Sequence, residues 1–364
     1  MLENEKFLSE QILTYLGNKR ALLDFIGEGV EFVKKELKKE KLFCADLFSG
    51  SGIVARFLKA NSEFLIANDL ETYSKITNEC YLSNISADLL SEISKIRTEI
   101  LNEVYKNLTP GFITELYAPK NDKNIMPEER VFYTHKNAVF IDSARREISK
   151  ISPEMQKFFI APLLYEASTH ANTSGVFKGF YKNKKGIGQF GGEGRNALKR
   201  ILGDISLPLP VFSNFSVPFS VEQKDANKLA GELENCDICY LDPPYNQHPY
   251  GSNYFMLNLI AKYERPNEIS QVSGIAQGWN KSVYNKKTRA AEAFFDLISK
   301  LKAKFVLISF NNEGFINKSE FIKNLEKFGK LNILEKKYNT FRGSRNLNNR
   351  KIYVTEILYI LKKN

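Results

Sequence analysis

The stretch Asp237-Ile238-Cys239-Tyr240-Leu241-Asp242-Pro243-Pro244-Tyr245 decides how the chain is read. An apolar run stops at an acid, two prolines and an aromatic, the pattern of a buried strand that ends in a stiff loop. Proline fixes φ and carries no N–H, and the residue before it is pushed out of the helical region. A carboxylate, outward carbonyls and a phenol ring are thereby held in one arrangement. Such a turn is a poor core and a good site.

Upstream, the apolar run 42–48 breaks at Ser49-Gly50-Ser51-Gly52 and gives way to the helical pattern Ile53, Val54, Phe57, Leu58. Strand, glycine turn and helix open a nucleotide-binding α/β unit, in which a ligand approaches backbone and helix N-terminus. The next apolar run, 64–69, ends in Asp69, where an acid can accept hydrogen bonds from ribose hydroxyls. Neither a Gly-Lys-Ser/Thr phosphate loop nor the third glycine of a dinucleotide fingerprint follows. The expected ligand is adenosine-like and lacks a pyrophosphate.

Earlier still, Tyr15-Leu16-Gly17-Asn18-Lys19-Arg20 leads into a helical pattern. A glycine turn there would set Lys19 at a helix start, suited to a carboxylate or phosphate, although a solvated lysine is the plain alternative. Downstream, the short run 219–225 ends in Asp225, placed to accept the exocyclic amine of an adenine or to be a surface acid. Residues 305–311 form a further buried strand, and 338–361 read as two strands joined by a basic loop with Arg342 and Arg345. Several strand ends thus converge on one rim of a sheet, where open α/β folds bind ligands.

From 72 to 202 the strand–helix alternation lapses into helical patterns, as at 89–108 and 154–170. The expectation is an inserted, mainly helical domain at 81–204, with 1–80 and 205–364 forming the α/β domain. Within the insert, Lys178, Lys182, Lys184, Lys185 and Arg195 alternate with glycines and with Phe177, Phe180, Tyr181 and Phe190. Cations for phosphates, glycines for close approach and rings for stacking suit nucleic acid. A second basic patch, including Lys281, follows Trp279.

Composition agrees. The 364 residues carry a net charge of +10 with 43% hydrophobic residues, enough for a sizeable core and favourable to a polyanionic partner. No opening apolar segment suits a signal peptide or membrane span, so a cytoplasmic protein is expected. Cys236-x-x-Cys239 lacks a second ligand pair at zinc spacing and reads as buried thiols, and His135, His170 and His248 are too scattered for a metal cluster.

Taken together, Tyr-Leu-Gly-Asn-Lys at 15–19, Phe-Ser-Gly-Ser-Gly at 48–52, Asn-Asp at 68–69 and Asp-Pro-Pro-Tyr at 242–245 resemble, in order, the D12 class of DNA adenine-N6 methyltransferases. These are the Dam-like, alpha-group enzymes, many from type II restriction-modification systems. The resemblance implies a Rossmann-like class I S-adenosylmethionine-dependent fold whose insert is a target-recognition domain. It further implies S-adenosylmethionine as methyl donor without a metal and double-stranded DNA as partner, with the existence of a cognate restriction endonuclease, the oligomeric state and the recognition sequence open.

Carried onto these positions, it puts Tyr15, Gly17 and Lys19 at the methionine end of the donor, Asp46 near its amino group, and Phe48, Gly50 and Gly52 around it. Asp69 falls on the ribose and Asp225 on the cofactor adenine. Asp242, Pro243, Pro244 and Tyr245 form the catalytic tetrad, Asp242 also bordering the cofactor. The basic residues Lys178, Lys182, Lys184, Lys185, Arg195, Lys281, Arg342 and Arg345 are expected to meet DNA. Weighed against this are methylation of RNA adenine, methylation of a protein glutamine, which resembles an Asn-Pro-Pro-Tyr site, and a non-catalytic DNA-binding subunit.

Overall fold

The structure is a computed structural model that describes residues 2–192, 194–195, 197–244, 247–311, 317–339 and 353–364. The strands are β1 (Leu42–Asp46), β2 (Ser62–Asn68), β3 (Phe219–Glu222), β4 (Cys236–Leu241), β5 (Ala303–Asn311), β6 (Gly329–Asn339) and β7 (Tyr353–Lys363). They form one sheet in the order β3-β2-β1-β4-β5-β7-β6. The first five run parallel, and β7 inserts antiparallel between β5 and β6.

Strand composition explains the arrangement. β4 is buried throughout and β5 nearly so, because a parallel sheet with helices on both faces needs apolar side chains on both. Cys236, Cys239 and Leu241 of β4 join Val306, Ile308 and Phe310 of β5 in one core. Ile238 and Tyr240 join Phe305 and Leu307 in the other. The first core is closed by helices Ala226–Glu232 and Ala290–Lys300, the second by Leu23–Leu37 and Ile53–Lys59. All four cysteines are free and buried, Cys44, Cys236 and Cys239 of them in these two cores.

The chain leaves β2 for helix Thr72–Tyr81 and then a helical lobe, returning only at β3. Ser86 and Thr134 side chains cap helices Ala87–Lys106 and His135–Ile148 by accepting from N–H groups of the first turn. The lobe has its own core, which takes in Tyr73 and Cys80 before it and Phe255, Met256, Leu257 and Ile260 after β4. Arg145, buried in the lobe, donates from Nε to the Ile260 carbonyl (2.7 Å) and from a terminal nitrogen to Ala261 (3.3 Å). Helix Phe255–Lys262 is therefore held by the lobe although the sequence places it after β4. Among the described residues, no helix is long and apolar enough to cross a membrane.

The order of strands creates the site's location. From β1 the chain winds outward through β2 to β3, then crosses to β4 on the other side of β1, leaving a crevice beyond their carboxyl ends. Because β7 is antiparallel, its early residues reach the same rim: Glu356 pairs with Asn311 at the end of β5.

Helix Leu23–Leu37 approaches the sheet through Gly29, where an added Cβ would lie 2.7 Å from Leu358 Cδ2 and 3.2 Å from Leu307 Cδ2. Gly29→Val overpacks this seam and is expected to destabilise the protein by about 1–3 kcal/mol, read as a lower denaturation midpoint. An unchanged midpoint would refute the close helix–sheet contact.

Candidate active site

Each strand end delivers one polar group to the crevice. Asp46 closes β1, Asp69 follows β2, Asp225 lies three residues beyond β3 and Asp242 follows β4. These four acids, with Tyr15, Gly17, Lys19, Phe48, Gly50 and Pro244, line one cavity of roughly 910 Å³ of empty space including its open mouth. Gly52 and Pro243 are not among the residues that line it, and Tyr245 lies outside the described residues.

The glycine turn is shaped by backbone more than by ligand access. Gly50 and Gly52 have φ of 51° and 79°, which side chains disfavour. The Gly50 N–H donates to Asp69 Oδ2 (2.8 Å) while Glu71 N–H donates to Oδ1 (2.9 Å), so the turn orients that carboxylate. A Cβ at Gly52 would stand 2.8 Å from Asn78 Oδ1. Asp225 caps helix Ala226–Glu232, its Oδ1 accepting from the N–H groups of Asn227 and Lys228.

Tyr15 is clamped in a stack, its ring centroid 4.4 Å from Tyr254 and 5.0 Å from Tyr250. Leu16 N–H donates to the Tyr254 hydroxyl (2.7 Å), and the Tyr250 hydroxyl donates to the Leu16 carbonyl (3.3 Å). The loop at 15–19 is thereby fixed to the segment that follows the Asp-Pro-Pro turn. Opposite, Phe48 meets Tyr284 edge-on at 5.2 Å, and the Tyr284 hydroxyl donates to Asn227 (2.6 Å).

Charge is concentrated at the floor. Lys19 is not a solvated lysine: it is 4% exposed, with Nζ 3.2 Å from Asp242 Oδ1 and 3.1 Å from Glu356 Oε1. It stands before a single 3-10 turn, Arg20–Leu22, and not at the start of the long helix. Asp46 is 1% exposed; the backbone N–H groups of Phe48 and Ala55 stabilise its carboxylate from nearby, but neither makes a well-formed hydrogen bond to its oxygens. Burial, then the charge of Asp242, pushes its carboxyl well above the usual range. Burial also lifts Asp242 to about 6, against the pull of Lys19. Glu71, on the same cavity, is raised to about 7 by burial and by Asp69, and accepts from Asn258 (2.5 Å) and Asn280 (3.3 Å).

A cavity with an orphaned acid, a ribose-competent acid and an Asp-Pro-Pro turn suits a cationic nucleoside and an amine acceptor. The family described as D12 class N6 adenine-specific DNA methyltransferase matches residues 15–323, most of the chain. The chain belongs to that family. It is 31% identical to the type II methyltransferase M.NlaIII of Neisseria lactamica over 361 residues, covering 96% of this chain and 99% of that one. It is 29% identical to the type II methyltransferase M.CviAII of Paramecium bursaria Chlorella virus 1, covering 90% and 92%. The type II methyltransferase M.FokI of Planomicrobium okeanokoites is 29% identical over 87% of this chain, which spans 47% of that longer protein. The seven-stranded sheet is the Rossmann-like fold of such methyltransferases.

For this adenine methyltransferase none of the expected DNA-contacting basic residues among those described lines the cavity itself. Lys178, Lys182, Lys184, Lys185, Arg195 and Lys281 are exposed, while Arg342 and Arg345 lie outside the described residues. The Phe177 N–H donates to the Asn253 carbonyl (2.7 Å), tying the basic segment to the turn after the Asp-Pro-Pro motif. The segment's rings are not all free for stacking on bases. Phe177 is 2% exposed and packs on Phe132, as Phe180 does at 5.2 Å, because the lobe core claims them. Lys281 lies over Trp279 at 5.7 Å.

Sequence reasoning missed Glu356, Glu71 and Asn280. For Glu356 there was a signal, a lone acid within the apolar run Ile-Leu-Tyr-Ile-Leu and its flanks, whereas Glu71 and Asn280 are ordinary polar residues until the fold joins them. Among the described residues, no cluster of His, Cys, Asp or Glu could hold a metal. Gly52→Ala, forced into the left-handed region, is expected to cost about 1–2 kcal/mol of stability and to slow DNA methylation. Wild-type melting and turnover would show that the turn relaxes around a side chain.

Proposed function

We propose that the chain transfers the methyl group of S-adenosylmethionine to N6 of an adenine extruded from duplex DNA, at one short sequence. The observation that carries this is Asp46, a buried carboxylate near the backbone N–H groups of Phe48 and Ala55 but with no well-formed hydrogen bond to either oxygen, opening on the cavity that also holds Asp242. A buried acid so weakly held is costly, and an ammonium group is the complement it lacks. S-adenosylmethionine, when bound, supplies an electrophilic methyl on a sulfonium. The amino group would lie on Asp46, the methionine end beside Tyr15, Gly17 and Lys19, the ribose on Asp69 and the adenine toward Asp225. Phe48, Gly50 and Gly52 would flank it.

The chain's own part in the reaction is positioning. The N6 amine of adenine is a weak nucleophile because its lone pair is delocalised into the ring. Accepting its two N–H bonds on the Asp242 carboxylate and the Pro243 carbonyl localises that pair on nitrogen. No strong base is needed beforehand, since the alkylated nitrogen is acidic and sheds its proton afterwards. Tyr245 would support the extruded base by stacking, and extrusion itself costs a few kcal/mol.

DNA is held in this reading by Lys178, Lys182, Lys184, Lys185, Arg195 and Lys281, with Arg342 and Arg345 from the last loop, through phosphates. The lobe at 81–204 would act as the target-recognition domain beside the α/β domain of 1–80 and 205–364. The type II relatives support a partner restriction endonuclease whose cleavage the methyl group blocks, in the cytoplasm.

Incubation of unmodified DNA with S-adenosylmethionine and enzyme, followed by mapping of modified bases, is expected to place N6-methyladenine in one motif, with no transfer to RNA. Asp242→Ala is expected to abolish transfer and keep donor binding measurable by calorimetry; near-wild-type turnover would sink the assignment. The pH dependence has a defined sign. A protonated Asp242 donates where it must accept, so kcat/KM, which reports the free enzyme, is full at higher pH and falls as pH drops through about 6. A flat profile from pH 5 to 8 would remove Asp242 as the acceptor.

A further inference from the structure

Glu356 lies beyond residues 15–323, which carry the family likeness, on the antiparallel strand β7. Its neighbours Ile357, Leu358, Tyr359, Ile360 and Leu361 are buried apolar residues, and Glu356 itself is 0% exposed. Placing an acid there is strongly unfavourable unless it is well paired. The pairing is specific but incomplete. Oε1 lies 3.1 Å from Lys19 Nζ and accepts from the Ser309 hydroxyl at 2.8 Å, while Oε2 has no partner. A residue kept only for packing would be apolar, as its neighbours on the strand are.

The Lys19 ammonium stands at nearly equal distances from Glu356 (3.1 Å) and Asp242 (3.2 Å). It is shared. Given wholly to Asp242, the lysine would occupy the lone pairs that an incoming amine must meet and would pull the carboxylate toward the floor. We propose that Glu356 is a positioning residue for methyl transfer: by drawing Lys19 to itself, it leaves the Asp242 carboxylate oriented and open to accept the N–H groups of the target adenine. The proposal rests on the reading of Asp242 as the amine acceptor.

Four groups of this chain set the charge felt by Asp242: Lys19 from the N-terminal loop, Glu356 from β7, Asp46 from β1 and Tyr240 from β4. Lys19 lowers the Asp242 carboxyl and Glu356 raises it. Glu356→Gln removes the repulsion and gives Lys19 wholly to Asp242, so both changes move Asp242 toward lower pH. Activity on the plateau nevertheless falls, because the carboxylate is now tied to the lysine. A purely structural role would lower the amount of active enzyme without moving the acid limb.

The test is Glu356→Gln in the full chain, with folding checked by circular dichroism. Plateau kcat is expected to drop by at least about tenfold, and the acid limb is expected to shift to lower pH. The calorimetric Kd for S-adenosylhomocysteine should stay within about threefold of wild type. A wild-type plateau, a lower plateau with an unmoved limb, or a parallel loss of S-adenosylhomocysteine affinity would each overturn the proposal. Ser309→Ala, which keeps every charge and frees the Glu356 carboxylate from one anchor, covers the case in which Glu356→Gln does not fold. It should lower the plateau with S-adenosylhomocysteine binding intact, and a full plateau overturns the proposal. Asp242→Ala separates the two levels: if it retains turnover the acceptor reading itself fails, and if it is dead while Glu356→Gln behaves as wild type, only the role of Glu356 fails.

Discussion

A lysine ammonium shut between two carboxylates holds the site together. Lys19 comes from the N-terminal loop, Asp242 from the end of β4 and Glu356 from β7, three segments far apart in sequence. Out of water these charges are tolerable only in one another's company, so the loop, the turn and the strand must arrive together. Around that contact the rest follows: the Tyr15 stack fixes the loop, Asp46 stands beside Asp242, and the Gly50 amide orients Asp69. Removing Lys19 would leave two buried carboxylates facing each other uncompensated, so the lysine is the member the site can least do without.

The sheet makes the meeting geometrically cheap. Parallel strands put all their carboxyl ends on one rim, and the reversal of winding between β1 and β4 opens that rim where the acids emerge. The single antiparallel strand adds something the parallel ones cannot, a side chain near the start of a strand on the same rim. Glu356 is there because β7 runs backwards.

Much of this was readable beforehand. The apolar run 42–48 and the runs ending in Asp69 and Asp242 marked buried strands, since a parallel strand covered on both faces has little choice of side chain. Asp69, Asp242 and Gly50 were found through the same turns, while Asp46 came from the family likeness alone. What sequence could not show were relations decided by distance in space. Lys19 was placed at the site by its motif, but its pairing with residues 242 and 356 was not readable because those partners lie so far along the chain. Phe177 and Phe180 looked like stacking rings among lysines because Phe132, which covers them, lies well outside that stretch. Tyr245, Arg342 and Arg345 lie outside the described residues, and their roles rest on the motif and charge alone.

The fastening of helix Phe255–Lys262 into the lobe core, through Ile260 and through the carbonyls that Arg145 holds, bears on how such enzymes diversify. The lobe is not a cassette. Recombination that replaced residues 81–204 with a foreign insert would strand a helix shaped for the old one, directly downstream of the Asp-Pro-Pro turn. Inheritance of a new lobe is thus coupled to inheritance of the segment that follows the turn, and lineages should exchange the two as one block or drift through point changes.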